Sequence, residues 1–340
     1  MLYVGLDIHS KQITVCVLNE QNQVTLRTQA RTPEELLKTL EGLSEPFEAC
    51  FEASTGYGRW YELLVPRAHR VVVAHPGLLR LIYRSKKKND RRDAEKLAKL
   101  LLCNMVPAVH VPPAQVRAWR ELITFRRKAV QKRTRAKNGV RALLKTVGLA
   151  APRRPGLWTN GGLAWLKAQS FSQASHALQR DLLVAEIEHL SAQIQRLEAE
   201  LNRIAEAHPQ VWQLRSIPGV GPRTAEAIVA FIDDPHRFAH SKRVAAYFGL
   251  VPSQDQSGDK NRLGHITREG SATCRQLLVE ATWQAVRLSP TVRAYFDRVR
   301  RDDPERRKIT VVATAHYLVR VMWAMLKHGT LWREQKTQAA

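Results

Sequence analysis

The first residues of the chain alternate between apolar and other side chains with a period of two. Leu2, Val4 and Leu6 form one such run, and a second follows from Ile13 to Leu18. This period predicts two β-strands, because successive side chains of a strand point to opposite faces of a sheet. Comparable patterns predict strands at 2–8, 12–19, 23–29, 47–52 and 70–74, and helices from Thr32-Pro33 to Leu43 and around Trp60–Leu64.

Acidic residues interrupt or end several of these apolar elements. Asp7 lies inside the first predicted strand, and Glu52 ends strand 47–52. Asp90 and Asp93 begin a helical pattern and are three residues apart, so they share one helix face. A buried carboxylate needs a partner, and a divalent cation is a suitable one. The four carboxylates together predict an oxygen cage for one or two Mg²⁺ ions, and two metals about 4 Å apart suit phosphodiester chemistry.

Each carboxylate taken alone has a simpler interpretation. Asp7 is then a turn residue, Glu52 caps a loop, and Asp90 is a helix N-cap with Asp93 favourable in the first turn. The order of the elements favours the metal site. Three early strands followed by alternating helices and strands is the order of a ribonuclease-H-like sheet. In that fold, acidic residues on the first strand, a later strand and a following helix converge.

The overall charge of the chain favours a polyanionic partner. The chain carries a net charge of +23. Its length of 340 residues argues for two or three domains. Nucleic acid is the first partner predicted and an anionic membrane surface the second. No apolar run reaches the roughly 18 residues that span a bilayer, and no N-terminal leader is evident. The scattered cysteines Cys16, Cys50, Cys103 and Cys274 lack metal-ligand spacing, which predicts a reduced cytoplasmic protein without zinc. For a bacterial protein with a nucleic-acid partner, the expected place is the nucleoid.

Two basic segments are predicted to contact nucleic-acid backbone. One flanks Asp90 and Asp93, and the other is a long helix from Pro112-Pro113 to about Leu149. That helix has too few acids for intrahelical ion pairs to explain its charge, whereas phosphate contact explains it. The cations assigned to these contacts are Lys86, Lys87, Lys88, Arg91, Arg92, Arg126, Arg127, Lys128, Lys132, Arg133 and Arg135.

The middle of the chain combines an irregular segment with a heptad pattern. Residues 152–175 are richer in Pro, Gly and Ser and predict a linker or insertion with a short helix near Leu163–Leu166. Apolar residues from Leu183 to Ile204 then recur at spacings of four and three, which predicts a coiled-coil seam. The seam pairs either with the basic helix of the same chain, antiparallel, or with another chain.

A glycine-rich turn precedes an apolar helix at Ala225–Ile232. Its sequence Ser216-Ile-Pro-Gly219-Val-Gly221 resembles the hairpin of helix–hairpin–helix DNA-binding modules. Glycines at such a place expose backbone N–H groups that bind phosphate, which assigns Gly219 and Gly221 to nucleic-acid contact. The alternative is an ordinary Gly-Pro turn.

A polar, basic loop is predicted from Ser253 to Ser271. Ser257 is a candidate nucleophile there, and the alternative is an ordinary loop serine. The cations available to stabilise a phosphate beside it are Lys260, Arg262, His265 and Arg268. Helices are predicted at 274–287, 291–301 and 309–327; the last ends at Gly329 and is expected to be a core helix.

Five short motifs, taken in chain order, resemble a single protein family over nearly the whole length. The family is that of the DEDD transposases of the insertion-sequence one-ten family, relatives of the Piv-type DNA invertases. The motifs are Gly-Leu-Asp7-Ile-His, Phe-Glu52-Ala-Ser-Thr-Gly, Lys-Asn-Asp90-Arg-Arg-Asp93-Ala, Ser-Ile-Pro-Gly-Val-Gly and Ala-Ala-Tyr-Phe-Gly-Leu-Val-Pro…Gln-Ser257-Gly.

The resemblance implies an α/β plus α fold in three parts. These are a ribonuclease-H-like (RuvC-like) domain at 1–110, a basic helix and coiled-coil region at 111–208, and a mainly helical transposase domain at 209–330. It implies a recombinase that binds Mg²⁺, or Mn²⁺ in its place. The resemblance puts the family's four acidic residues on Asp7, Glu52, Asp90 and Asp93, and its catalytic serine on Ser257, with Ser253 as the nearest rival.

The same resemblance implies partners and a reaction. The serine attacks a phosphate of donor or target DNA and holds the strand until religation, so that no ATP is needed. A guide (bridge) RNA from the element's noncoding end pairs with both DNAs. The protein works as a homo-oligomer, a dimer or tetramer, in which acidic and serine domains meet across subunits.

Two other functions compete with this one. A hydrolytic, RuvC-like nuclease that uses only the four carboxylates predicts that Ser257→Ala is harmless. A non-catalytic nucleic-acid-binding protein predicts no dependence on Mg²⁺. The order of the carboxylates and the polar loop favour the recombinase.

Overall fold

The structure is a computed structural model of the chain that describes residues 1–82, 90–154, 156–257 and 260–334, with the backbone alone at residues 90 and 91. The chain divides into two compact units, Met1–Arg117 and Ala118–Ala340. The first unit is mixed α/β and the second mainly helical, which confirms the predicted α/β plus α composition. The ribonuclease-H-like assignment and the division into three domains stay predictions.

The first unit is built on one five-stranded sheet. All five predicted strands are present, each within one residue of its predicted ends. The elements of this unit are β1 (Leu2–Ile8), β2 (Ile13–Leu18), β3 (Val24–Ala30), α1 (Pro33–Glu41), β4 (Phe47–Glu52), α2 (Tyr57–Leu64), β5 (Arg70–Ala74), α3 (Pro76–Ile82) and α4 (Asp90–Leu102).

The sheet is mixed, with the first strand at its centre. The spatial order is β3-β2-β1-β4-β5. Strand β1 pairs antiparallel with β2 on one side and parallel with β4 on the other, and β4 continues in parallel to β5. The central position explains the apolar composition of β1, because both of its faces are covered.

The two faces of the sheet carry different cores. Leu2, Val4 and Leu6 of β1 pack in a cluster with residues of α1 and α2. The opposite face is covered by α4, whose Ala94 and Ala98 are completely buried. The period of two in β1 therefore separates two packing surfaces of one strand.

Gly5 lets α4 lie directly on β1. A Cβ at this position would stand 2.0 Å from the carbonyl oxygen of Ala94 and 2.6 Å from the backbone nitrogen of Ala98. A side chain here would push the helix away from the strand, because both atoms belong to the helix backbone. Gly5 therefore fixes the distance between the central strand and α4.

The described part of the second unit is an assembly of helices with an exposed pair of strands. Helix α5 begins in the first unit and continues into the second. The elements are α5 (Ala114–Thr146), α6 (Asn160–Ala168), α7 (Ala174–Glu206), α8 (Pro209–Arg215), α9 (Pro222–Ile232), α10 (Ser241–Tyr247), β6 (Pro252–Ser257), β7 (Lys260–Ile266), α11 (Ala272–Leu288), α12 (Pro290–Arg300) and α13 (Arg307–His328).

The heptad seam of α7 packs on the basic helix α5 of the same chain. Arg126 pairs with Glu198, Arg133 Nη1 donates to Ser191 Oγ at 3.4 Å, and a Cβ at Gly139 would lie 3.1 Å from Leu183. Along these contacts the residue numbers on α7 decrease as those on α5 increase, so the two helices are antiparallel. This confirms the intrachain alternative for the seam, and an additional pairing between chains stays a prediction.

Helix α13 is a core helix of the second unit, as predicted. Ala315, Leu318, Val319 and Met322 are completely buried, and Gly329 ends the helix with a left-handed backbone at φ 65°. The stretch Pro304–His328 has the length and apolar composition of a membrane span, but half of its apolar window is buried inside the unit. Burial against other helices accounts for its hydropathy.

The predicted loop from Ser253 to Ser271 is wrong over much of its length. Residues Pro252–Ser257 and Lys260–Ile266 form an antiparallel β-ribbon, which we call the β6–β7 ribbon. Every residue of β6 is exposed, and only Ile266 of β7 is partly buried. Sequence patterning missed the strands because neither face is apolar, so no alternation of hydrophobic and polar residues marks them.

Candidate functional site

Asp7 lies on the face of the sheet that α4 covers. It alternates with Leu6, which is buried on the opposite face, and it shares its face with Gly5, on which α4 rests. The side chain is 17% exposed, and its Oδ2 lies 3.1 Å from Nε2 of His9. The simpler alternative, in which Asp7 is a turn residue, is wrong, because Asp7 pairs with Thr14 inside the ladder of β1 and β2.

Glu52 lies beside Asp7 on the neighbouring parallel strand. The register of β1 and β4 pairs Leu6 with Phe51, and Asp7 and Glu52 are the next residues of the two strands. Leu6 and Phe51 both belong to the core of the α1 and α2 face. By alternation, both carboxylates are therefore presented to the α4 face, where Glu52 is exposed to solvent.

Helix α4 carries the remaining carboxylates toward the same face. Asp93 directly precedes the buried Ala94, and its Oδ1 accepts a hydrogen bond from Lys96 Nζ at 2.7 Å. Asp90 is the first residue of α4, one turn before Asp93, and its side chain lies outside the described residues. The backbone thus brings the first turn of α4, β1 and β4 together on one side of the sheet.

The donor chemistry of this face suits a hard divalent cation. Carboxylate oxygens are the ligands that Mg²⁺ and Mn²⁺ prefer. Within residues 1–82, 92–154, 156–257 and 260–334, no three His, Cys, Asp or Glu side chains stand close enough to hold a metal ion. Asp7, Glu52 and Asp93 fit the cation in donor type. Asp7 and Glu52 share one face of the sheet, and Asp93 and Asp90 belong to the first turn of the helix that covers this face.

The next carboxylate of α4 is engaged elsewhere. Glu95 pairs with Arg27 of β3 at 2.5 Å and with Lys99 at 2.7 Å. The hydrogen bond from Lys99 lowers the pKa of the Glu95 carboxyl, and the nearby positive charges of Lys99 and Arg27 lower it further. Glu95 is therefore a structural carboxylate that anchors α4 to the sheet, two positions from Asp93.

The candidate nucleophile Ser257 ends β6 on the ribbon. It pairs across the ladder with Lys260, and the preceding position on the same side pairs Asp255 with Arg262. By alternation, Ser257, Lys260 and Arg262 share one side of the ribbon, so two cations lie on the same side as the hydroxyl. Ser253, its rival, lies exposed at the other end of β6.

Comparison with known proteins gives consistent matches in both units. A model described as "Transposase", for DEDD transposases of IS110 elements, matches residues 4–148, and a model described as "Transposase IS116/IS110/IS902 family" matches residues 212–297. The chain belongs to the IS110 family of transposases. The first match contains Asp7, Glu52, Asp90 and Asp93, and the second contains Ser257.

Named relatives of this IS110-family chain cover most of its length. It is 28% identical to the "Probable family 20 transposase" of Pseudomonas aeruginosa, over 97% of this chain and 98% of the relative. It is 27% identical to the "Transposase for insertion sequence element IS1111A" of Coxiella burnetii, over 81% and 75% of the two chains. It is 26% identical to the "Transposase for insertion sequence element IS1328" of Yersinia enterocolitica, over 78% and 79%.

The glycines between α8 and α9 have different structural settings in this IS110-family transposase. Gly219 has φ 90°, and a Cβ there would stand 2.4 Å from the backbone nitrogen of Ala285 in α11. Packing against α11 is therefore sufficient to require this glycine. Gly221 is the N-cap of α9 and has open space around its Cα. Phosphate contact by either glycine stays a prediction, with Gly221 in the more accessible setting.

The cations of α5 divide into paired and exposed groups. Arg127 is buried and bonds Gln276 Oε1 at 2.9 Å and Glu280 Oε1 at 2.8 Å, and Arg126 pairs with Glu198. Lys128, Lys132 and Arg135 are exposed along the same helix. The exposed cations are the ones that can reach a phosphate without breaking a contact of the fold. In the first basic segment, Arg92 is exposed, whereas Lys86–Lys88 and the side chain of Arg91 lie outside the described residues.

A buried pair in α9 was missed by sequence reasoning. Glu226 is 1% exposed, and its Oε2 lies 3.2 Å from Arg223 Nη2 in a geometry that leaves Oε2 without a hydrogen bond. Burial raises the pKa of the Glu226 carboxyl to about 8, against the opposing effect of Arg223. The signal in the sequence was one carboxylate inside the otherwise apolar run Ala225–Ile232.

Proposed function

We propose that this IS110-family transposase cuts and rejoins DNA strands with its four carboxylates and Ser257. The observation that carries the proposal is the register of β1 and β4 together with the alternation of side chains along them. It puts Asp7 and Glu52 on the same face of the sheet, and the helix of Asp90 and Asp93 covers that face. In chemical terms this is a set of hard oxygen donors on a rigid, buried scaffold. Family membership supports the same residues, since both matched segments contain them.

The residues that hold the metal in this proposal are Asp7, Glu52, Asp90 and Asp93. When bound, Mg²⁺ or Mn²⁺ supplies Lewis-acid stabilisation of charge on phosphate oxygens. The rigid packing of α4 on Gly5 keeps the donors in place, because moving Asp93 requires moving a helix whose Ala94 and Ala98 are completely buried. Preorganised donors avoid the cost of reorganising the site during the reaction.

Ser257 acts as the nucleophile in the proposed reaction. Its Oγ forms a bond to a DNA phosphorus while one P–O ester bond breaks, and the released DNA oxygen gains the proton that Oγ loses. Attack by a DNA hydroxyl on the serine ester reverses these changes and restores a phosphodiester, so no nucleotide cofactor is needed. Lys260 and Arg262, on the same side of the ribbon, neutralise the phosphate that Ser257 attacks.

The remaining parts of the proposal rest on the family. Donor and target DNA are the substrates, a bridge RNA pairs with both, and the exposed cations of α5 contact nucleic-acid backbone. The protein acts as a homo-oligomer in the bacterial cytoplasm, beside the nucleoid. The charge of +23 supports a polyanionic partner but does not distinguish RNA from DNA.

A covalent-trapping assay tests the proposal. The protein is incubated with Mg²⁺, junction-containing DNA and RNA from the element's flank, and the products are run on a denaturing gel. We expect a protein–DNA adduct with the wild type and with Ser253→Ala, and no adduct with Ser257→Ala or Asp7→Asn. Ser253 is the matched control, because it is an exposed serine on the same strand.

The assay also separates the competing functions. Nicked DNA without an adduct, unchanged in Ser257→Ala but lost in Asp7→Asn, indicates the hydrolytic nuclease. That function is chemically complete within the Met1–Arg117 unit, since all four carboxylates belong to it. Binding without any cleavage, with or without Mg²⁺, indicates a non-catalytic nucleic-acid-binding protein.

A further inference from the structure

The β6–β7 ribbon has two chemically different faces. Its ladder pairs Gln254 with Leu263 and Gln256 with Asn261, and these pairs alternate with the charged ones. Side chains of alternate pairs point to opposite faces. We call one face the amide face, formed by Gln254, Gln256, Asn261 and Leu263, and the other the serine face, formed by Asp255, Ser257, Lys260 and Arg262.

The amides of the amide face are ordered by hydrogen bonds to one another. Gln254 Nε2 donates to Gln256 Oε1 at 3.1 Å and to Asn261 Oδ1 at 3.0 Å. All three side chains are exposed, and Leu263 beside them is 66% exposed. A row of amides that is held in place but open to solvent offers both donors and acceptors to an incoming partner.

The chemistry of the amide face selects among partners. An apolar protein surface would bury the amide donors and acceptors that the three side chains do not use among themselves, which is unfavourable. The major groove of DNA admits a two-stranded β-ribbon, and Gln and Asn bind the N6 and N7 edge of adenine there. The major groove of an RNA helix is too narrow for side chains to read. Cations on the opposite, serine face complement the backbone charge of a neighbouring DNA segment, as at a junction.

We infer that the amide face reads base edges in the major groove of DNA near the cleavage site. Because the serine face points the opposite way, the phosphate that Ser257 attacks belongs to a neighbouring segment of the same junction DNA. Gln256 and Asn261 are then specificity-determining residues for A·T base pairs near the cleavage site. The inference rests on the proposed function for its reaction, and it adds a protein contribution to sequence choice that is separate from pairing with a guide RNA.

The exposed leucine and the spacing of the face support this assignment. A large apolar side chain on a solvent-exposed ribbon suits contact with the methyl group of thymine, the apolar group of the major groove. Alternate residues on one face of a strand are about 6.8 Å apart, which matches two base-pair steps of about 3.4 Å. The face therefore spans about two to three base pairs.

The test is a binding selection followed by sequencing. Four-way junction DNA with randomised base pairs around the branch point is incubated with wild type, with the double variant Gln256→Ala plus Asn261→Ala, or with Gln21→Ala. Gln21 is an exposed glutamine on the turn between β2 and β3, outside the proposed machinery, and serves as the control. Bound DNA is separated on a native gel and its sequence profile is measured.

We expect the wild type and Gln21→Ala to prefer A·T pairs at two or three contiguous positions. The double variant is expected to lose that preference by about ten-fold or more at the same positions, because each bidentate amide contact discriminates on that scale. Leu263→Ala is expected to weaken only the preference for thymine. An unchanged profile in the double variant overturns the inference.

A change in the DNA tests the same contact without altering the protein. Replacing adenine by 7-deazaadenine at the preferred position removes N7, and replacing thymine by uracil removes the methyl group. We expect both changes to weaken binding by the wild type and the first to leave the double variant unaffected. Loss of affinity for the flank RNA in the double variant, with the DNA profile unchanged, would assign the face to RNA and overturn the inference.

Failure of the inference and failure of the proposed function are distinguishable. The sequence profile comes from binding, whereas the proposed function is judged by the covalent adduct at Ser257. An adduct that forms normally with an unchanged profile removes only the base-reading role. A profile that depends on Gln256 and Asn261, without any adduct, removes only the covalent reaction.

Discussion

The candidate carboxylates of the Met1–Arg117 unit and the candidate serine of the β6–β7 ribbon lie in opposite structural settings. Asp7 lies in the central strand of a sheet that is covered on both faces, next to a helix whose Ala94 is completely buried. Ser257 lies at the end of β6, and both strands of the ribbon are exposed almost throughout. In the proposed function, metal ligands need a rigid scaffold to hold several oxygens in place, whereas a serine that bonds to a DNA strand must first reach that DNA.

The first test asks whether the carboxylate face is needed for cleavage. Asp93→Asn removes one charge and keeps the shape of the side chain. We expect Mg²⁺-dependent cleavage to fall roughly a hundred-fold or more, because several kcal/mol of transition-state stabilisation depend on the metal. Glu95→Gln, on the same helix, is the control. Its amide oxygen can still accept from Arg27 and Lys99, and α4 stays packed through Ala94 and Ala98, so this variant is expected to stay active. Equal losses in the two variants would contradict the assignment of Asp93.

Rigidity of the carboxylate scaffold is tested at Gly5. A Cβ there would stand 2.0 Å from a backbone oxygen of α4, so Gly5→Ala is expected to lower the free energy of unfolding by about 3 kcal/mol and to reduce cleavage. Urea unfolding of the purified protein measures the first effect. Gly42→Ala is the matched control, since its Cβ would lie 3.5 Å from the oxygen of Lys38, and we expect a change within about 0.5 kcal/mol. A tolerated Gly5→Ala would show that α4 does not rest on β1.

Glu226, the buried carboxyl of the second unit, differs from the four candidate metal ligands in having no proposed chemical role. Burial raises the pKa of Glu226 to about 8, above its ordinary value near 4.5. The folded state therefore holds the proton more tightly, and the stability that this provides is present below pH 4.5 and is lost as the pH rises to about 8. Glu226→Gln is expected to exceed the wild type in free energy of unfolding by about 2 kcal/mol at pH 8 and by much less at pH 5.

Thermal unfolding at the two pH values checks this effect. Glu200→Gln is the control, because Glu200 is partly exposed and pairs with Arg203, and its variant is expected to follow the wild-type pH dependence. A Glu226→Gln variant with the same pH dependence as the wild type would mean that the carboxyl is not buried as the structure shows.

The smallest effect is expected on the ribbon. Leu263 is 66% exposed, so Leu263→Ala should change the free energy of unfolding by no more than about 0.5 kcal/mol. The same substitution at Leu6, which is completely buried in β1, should cost about 3 kcal/mol. Chemical denaturation of the two variants side by side measures the difference. A large loss at Leu263 would show that the ribbon is packed in solution.

Sequence patterning succeeded where one face of an element is apolar. The strands of the first unit and the helices α11 to α13 follow hydrophobic periods, and their bounds were predicted closely. Patterning failed at the β6–β7 ribbon, because both of its faces are polar and the pairing is carried by the backbone. The role of Gly219 was also out of reach, since its close contact with Ala285 joins residues far apart in the chain.

The sequence by itself determined the elements of the first unit, the positive charge, the candidate carboxylates and the family. These follow from local periods, composition and short motifs, each of which is contained within a few neighbouring residues. Only the tertiary structure decided that Asp7 and Glu52 share the α4 face, that α5 covers the seam of α7, and that Glu226 is buried. Each of these depends on which distant segments pack together, and packing is set by the whole chain at once.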